Sequence, residues 1–292
     1  MPKLGFIGAG TVGTALAIRL SAKGYPAVAV ASRSKLSAER LASAVPGCQP
    51  CDHKQQVADA AELVFITTSD DAIAPVAAEI SWHRGQGVVH CSGADSLDIL
   101  EPATKAGAQV GSFHPLQTFA GIAQAIENLP GSTFALEGQG QLLATLKEMA
   151  SALDGRWVEL KAGDKVLYHA AAVLACNYAV TLVKLATDLW QLFGVSPQDS
   201  TRALLPLLKG TVHNIESLGL PRCLTGPIAR GDLGTITKHL AALKVRAPEL
   251  LSVYCELGRN TIPLALGKGT IDEQRAMELQ KLLSEAKDED YA

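Results

Sequence analysis

At 292 residues, with 48% hydrophobic and 19% charged side chains, the chain has length for one large domain or two smaller ones with sizeable cores. Its formal net charge of −3 leaves no basic excess for nucleic acid, and the composition is that of an ordinary water-soluble protein. Six scattered cysteines fit a reducing cytosol better than a disulfide framework.

The chain opens on Lys3-Leu4-Gly5-Phe6-Ile7, a strand-like apolar run without the charged-then-apolar order of a signal peptide. It enters Gly8-Ala9-Gly10-Thr11-Val12-Gly13 and leaves as an alanine-rich helical pattern. Gly-x-Gly-x-x-Gly between strand and helix is a dinucleotide signature. The first glycine makes the tight turn, the second admits the pyrophosphate, and the third lets helix and strand pack closely.

A second strand, 27–31, runs into Ser32-Arg33-Ser34-Lys35, and no carboxylate follows until Glu39. NAD-binding folds place an acidic residue there for the ribose. A guanidinium between two hydroxyls suits the 2′-phosphate instead, so NADP is expected. After a helix over 36–45, Cys48-Gln49-Pro50-Cys51-Asp52-His53 offers a metal or redox reading. Without a second paired-cysteine motif, no metal site is assigned.

Strands at 63–67, 87–91 and 109–113, and later at 133–136 and 157–160, alternate with helices at 73–80 and 97–106. This pattern predicts right-handed βαβ units, a parallel sheet and a ligand at the carboxyl ends of the strands. Thr67, Thr68 and Ser69 follow one strand and either touch the cofactor or cap the next helix. His90-Cys91-Ser92 and His114-Pro115-Leu116-Gln117 follow the next two. His90, Ser92, His114 and Gln117 therefore become candidates for contact with a second reactant.

Beyond 162 the strands vanish, and helices are expected over 164–193, 199–218, 235–243, 248–264 and 271–286. The expected layout is α/β: a doubly wound Rossmann domain over 1–162, then an all-α domain over 163–292. Residues 166–183 carry no Lys, Arg, Asp or Glu. Tyr168, His169, Asn177 and Thr181 argue against a membrane span, so this helix is expected to be buried by its own domain or by a partner subunit. Lys165 and His169 share one face of it, and Asn177 lies on a neighbouring stripe; facing a cleft would account for all three. Arg230, in a Gly/Pro-rich link over 224–232, can bind an anion or sit beside a helix cap.

Taken together, Gly8–Gly13, Ser32-Arg33-Ser34, the His90 and His114 segments, Tyr168-His169-Ala170-Ala171 with Asn177-Tyr178, and 224–232 resemble a bacterial two-domain family. Its members join a Rossmann-like domain to a helical domain of unknown function and are commonly labelled NADP oxidoreductases. More distantly, the layout is similar to 6-phosphogluconate and 3-hydroxyisobutyrate dehydrogenases, ketopantoate reductase, pyrroline-5-carboxylate reductase and, through His114-Pro115, prephenate dehydrogenases. The resemblance implies Lys165 as general acid/base, although His169 stands where several of these enzymes carry an orienting Asn. It also implies a homodimer formed through the helical domain.

The resulting expectation is a cytoplasmic, NADP-dependent oxidoreductase acting on a small carboxylate-bearing carbonyl or hydroxyl compound. Lys165 or a histidine would move the proton; His114, His169, Ser92 and Asn177 would orient the substrate, and Arg230 would pair with its carboxylate. The alternative is an NADP-binding sensor without turnover.

Overall fold

In the computed structural model, which describes residues 1–288, the apolar runs of the first half meet in one eight-stranded sheet. Its strands are β1 (Leu4–Ile7), β2 (Ala27–Ala31), β3 (Gln49–Pro50), β4 (Leu63–Ile66), β5 (Gly87–His90), β6 (Gln109–Leu116), β7 (Thr133–Glu137) and β8 (Arg156–Glu159). They lie in the order β3-β2-β1-β4-β5-β6-β7-β8. β1, β4 and β5 are buried along their whole length, as strands covered on both faces must be. Every neighbouring pair is parallel except β6 and β7. That reversal corrects the expected all-parallel sheet. The connecting helix α6 (Ile122–Asn128) packs on α1 (Thr11–Ala22) instead of crossing the sheet.

One sheet face carries a row of phenylalanines from four strands. Phe6 stacks on Phe65 at 5.3 Å, Phe65 meets Phe113 edge-on at 6.0 Å, and Phe113 meets Phe134 at 4.6 Å. Leu16 and Leu20 of α1 and Leu142 and Leu146 of α7 (Gly140–Ala152) close over this row. Each such ring taken fully out of water contributes roughly 2–3 kcal/mol. On the opposite face Val57 of α3 (Lys54–Ala60), Ile73 and Val76 of α4 (Asp70–Glu79), and Leu100 form a second core. Helices α3, α6 and α7 go beyond the expected elements. α3 and α6 have only seven residues each, too few for a clear period.

The chain divides into two compact units, Met1–Cys176 and Asn177–Ala292. The boundary thus falls after α8 (Asp164–Ala175), the helix expected to open the second domain. The single helix expected over 164–193 is broken at Cys176, where α8 ends and α9 (Asn177–Gln191) begins. In the second unit α9, α11 (Leu233–Arg246), α12 (Leu251–Lys268) and α13 (Glu273–Asp288) surround Ile236, Leu251, Cys255, Leu279 and Leu283, and α10 (Pro197–Leu218) packs on α9. Burial of 166–183 within the chain is not found: Leu167 is 77% and Val180 70% exposed. By length and hydropathy alone, Asp164–Gln191 also meets the requirement for a membrane span.

Candidate functional site

The glycine turn is fixed by the residue that follows β4. Thr67 Oγ1 donates to the Gly8 carbonyl at 2.7 Å, and Gly8 sits at φ +111°, where a side chain would be strained. A Cβ on Gly13 would stand 2.3 Å from Thr67 Oγ1 and 2.4 Å from the Gly8 carbonyl, so α1 reaches the turn only because none is there. A Cβ on Gly10 would meet nothing within 4 Å. The cradle is tight behind Gly8 and Gly13 and open at Gly10, which is the shape a pyrophosphate requires.

This opening belongs to a cleft of about 520 Å³ walled by Gly8, Ala9 and Gly10, by Ser32, Arg33 and Ser34, and by Thr67, Thr68 and Ser69. Thr68 Oγ1 is buried and has no hydrogen-bond partner among the described residues, an orphan that a ligand would satisfy. Ser69 precedes α4 without making a capping side-chain bond, so of its two readings the cleft wall is the one realised. Ser34 does both: its hydroxyl accepts from the Ser37 amide at 3.3 Å and caps α2 (Lys35–Ala44). Thr11, Val12 and Gly13 form the first turn of α1 rather than the wall. Lys54, absent from the sequence reading, lines the cleft and pairs with Glu79. The cleft therefore fits a dinucleotide, and Arg33 and Lys54 supply positive charge for a phosphate.

A second polar group forms along the same sheet edge. Ile66 pairs with His90 and His90 with Ser112, so the ends of β4 and β5 lie beside the middle of β6. α8 closes on this edge through Lys165. Its Nζ donates to the Ser92 carbonyl at 2.8 Å and lies 3.2 Å from Glu137 Oε2, with the lysine side chain 2% exposed. Ser112 Oγ donates to the same carboxylate oxygen at 3.0 Å. Burial pulls the Lys165 ammonium below its usual range, while Glu137 opposes that pull. His114 Nδ1 lies 2.8 Å from the Tyr168 hydroxyl. Burial, reinforced by Lys165 and His169, takes His114 down to about 4, and burial with Lys165 and His114 takes His90 down to about 3. Both rings are therefore neutral near pH 7.

Several expected placements are corrected here. Lys165 is sealed against the sheet instead of facing a cleft. His90 is fully buried at the end of β5, where Nδ1 accepts from the Ser92 amide at 3.2 Å. Ser92 is also buried, and its hydroxyl accepts from the Ala94 and Asp95 amides, so it shapes a turn. Gln117 spans its own loop to the Asn128 carbonyl and Ser132. Asn177 is exposed as the first residue of α9. Arg230 ends a short 3-10 turn (Ile228–Arg230) and lines a 480 Å³ cavity of the second unit with Thr270 and Arg275. His114, Tyr168 and His169 remain half-buried. Cys48 and Cys51 are free thiols; burial, with Cys51 close by, pushes Cys48 up to about 11, and the His53 amide donates to Gln56 Oε1 at the start of α3.

Glu137 escaped the sequence reading, and Tyr168 was given no role at the site there. A lone carboxylate ending the apolar strand Thr-Phe-Ala-Leu-Glu was one available signal, and the spacing of Tyr168 three residues after Lys165 was another.

Residues 2–115 match a model described as a Rossmann-like domain, and residues 132–261 match one described as a domain of unknown function, DUF2520. No curated protein matches the chain in sequence. Among solved structures, a Bacteroides fragilis protein provisionally named an NADP oxidoreductase is 27% identical over 90% of this chain and 98% of its own, with TM-score 0.71. A Thermotoga maritima protein whose name states no function is 26% identical over 99% and 100%, with TM-score 0.66. An Aspergillus terreus reductive aminase, solved with NADPH and ethyl-5-oxohexanoate, shares the fold at 18% identity over 99% and 94%, with TM-score 0.60.

Proposed function

We propose that this chain, which pairs a Rossmann-like domain with DUF2520, is an NADP-dependent oxidoreductase acting on a small carbonyl or hydroxyl compound. The observation that carries the reading is the glycine cradle, closed behind Gly8 and Gly13, open at Gly10 and continuous with a wall bearing Arg33. The name of the Bacteroides fragilis neighbour supports NADP as the dinucleotide.

The backbone of Gly8, Ala9 and Gly10 would hold the pyrophosphate, and Ser32, Arg33 and Ser34 the 2′-phosphate. Thr68 and Ser69 would meet the ribose beyond. When bound, the dinucleotide supplies or accepts a hydride. The second reactant is assigned to the half-buried group of His114, Tyr168 and His169, whose polar atoms can orient an uncharged carbonyl or hydroxyl. Six cysteines scattered along the chain accord with a reducing, cytosolic setting. The exposed apolar residues Leu205, Leu208, Val212 and Ile215 of α10 support a homodimer through the helical domain.

Calorimetric titration with NADPH and NADH tests the assignment. NADPH should bind at least about tenfold more tightly, and Arg33→Ala should remove most of that preference, a bidentate phosphate contact being worth on the order of 1.5–3 kcal/mol. NADH binding as tightly as NADPH overturns the choice of dinucleotide.

A further inference from the structure

The polar group on the β5–β6 edge has a sealed half and an open half. Lys165, Glu137, Ser112 and His90 are all buried, and the lysine ammonium is already engaged by the Ser92 carbonyl and the Glu137 carboxylate. The half-buried groups are His114, Tyr168 and His169. His114 and Tyr168 are joined at 2.8 Å with their rings edge to face, and the His114 and His169 rings meet edge to face at 6.1 Å. Both imidazoles close on Gly93 because it has no side chain: a Cβ there would come within 2.5 Å of His169 Nδ1 and 2.9 Å of His114 Nε2. His169 Nδ1 is moreover a buried atom with no partner among the described residues.

We propose that Tyr168, and not Lys165, is the catalytic proton donor to the substrate oxygen, that His114 positions and reloads it, and that Lys165–Glu137 holds α8 on the sheet. The proposal rests on the NADP oxidoreductase reading. In the reduction, the carbonyl carbon gains the hydride of a dihydronicotinamide cofactor and the π electron pair moves to oxygen. The Tyr168 O–H bond breaks and its proton joins that oxygen. The resulting phenolate takes the Nδ1 proton of His114, while Nε2 takes one from water, so the ring stays neutral. One hydride and one solvent proton are consumed for each alcohol formed.

The electrostatics agree. Burial raises the phenol above its ordinary value and lowers the imidazole, so Tyr168 keeps its proton and His114 can present N–H on one side and a lone pair on the other.

The first test uses ligand-free protein: ¹⁵N NMR of the histidine rings should place the His114 proton on Nδ1 in the wild type, with a mixed tautomer in Tyr168→Phe. A wild-type proton on Nε2, with the phenol donating into the ring, overturns the proposal. The second uses NADPH with ethyl 5-oxohexanoate or its free acid as probe. Tyr168→Phe should bind NADPH as the wild type does, keep KM within about threefold, and lose at least about 100-fold in kcat. More than a third of wild-type kcat in that variant overturns the proposal, as does a wild type that binds NADPH and reduces neither probe. A wild type that fails to bind NADPH removes the oxidoreductase reading itself, and this proposal with it. Because the NMR measurement needs only wild-type protein, a variant that fails to fold leaves the proposal open to refutation.

Discussion

One methyl group separates the two jobs of the glycine turn. At Gly13 it would strike the Thr67 hydroxyl and the Gly8 carbonyl, both fixed by the hydrogen bond between them. At Gly10, with an ordinary φ of −80°, it would enter open space. Gly13→Ala should therefore destabilise the fold by about 1–3 kcal/mol in urea unfolding, the usual range for overpacking. Gly10→Ala should unfold like the wild type yet lose at least about tenfold in NADPH affinity, equivalent to about 1.4 kcal/mol. Unimpaired NADPH binding by Gly10→Ala would show that the open side of the cradle is not where the pyrophosphate lies. The spacing in the sequence disclosed the close packing at Gly13 because it depends on local backbone geometry. Glu137 was not disclosed in that way. A glutamate at a strand end normally faces water, and only the arrival of Lys165 and Ser112 makes this one a buried partner.

At the scale of elements, α8 is where expectation and structure part. Its composition marked it as the start of a helical domain, yet its one buried residue is Lys165, whose ammonium fastens the helix to the sheet unit. Removing one member of such a pair leaves the other charge uncompensated out of water. Lys165→Met should thus lower the unfolding free energy by about 3–5 kcal/mol, and adding Glu137→Leu should restore much of it. Differential scanning calorimetry of the single and double variants measures this directly. A double variant no more stable than Lys165→Met alone would show that the pair does more than neutralise itself. The break at Cys176 was hidden for a related reason: the apolar run passes through it without Gly or Pro, so no local signal marked the end of α8.

At the scale of the molecule, the apolar surface left uncovered is larger than one chain accounts for. Leu205, Leu208, Val212 and Ile215 recur at helical spacing along α10, and all four are exposed. Stripes of this kind mark interaction sites. We expect sedimentation velocity to show a dimer for the wild type and a shift to monomer for Val212→Glu, with helical content unchanged by circular dichroism. A wild type that stays monomeric as concentration rises would leave the α10 stripe to some other occupant.

What the sequence determined by itself was whatever depends on short-range geometry and periodicity: the strand–turn–helix of the glycine cradle, the alternation that yields the α/β sheet, and the cationic loop Ser32-Arg33-Ser34 at its nucleotide end. Packing between distant segments decided the rest. It turned β7 against β6, placed α8 with the sheet unit, sealed His90, Ser92 and Lys165, and brought Tyr168 onto His114. Burial and pairing are properties of segments that meet only in the folded chain, so the same histidine or lysine reads alike in sequence whether it faces a reactant or braces the wall behind one.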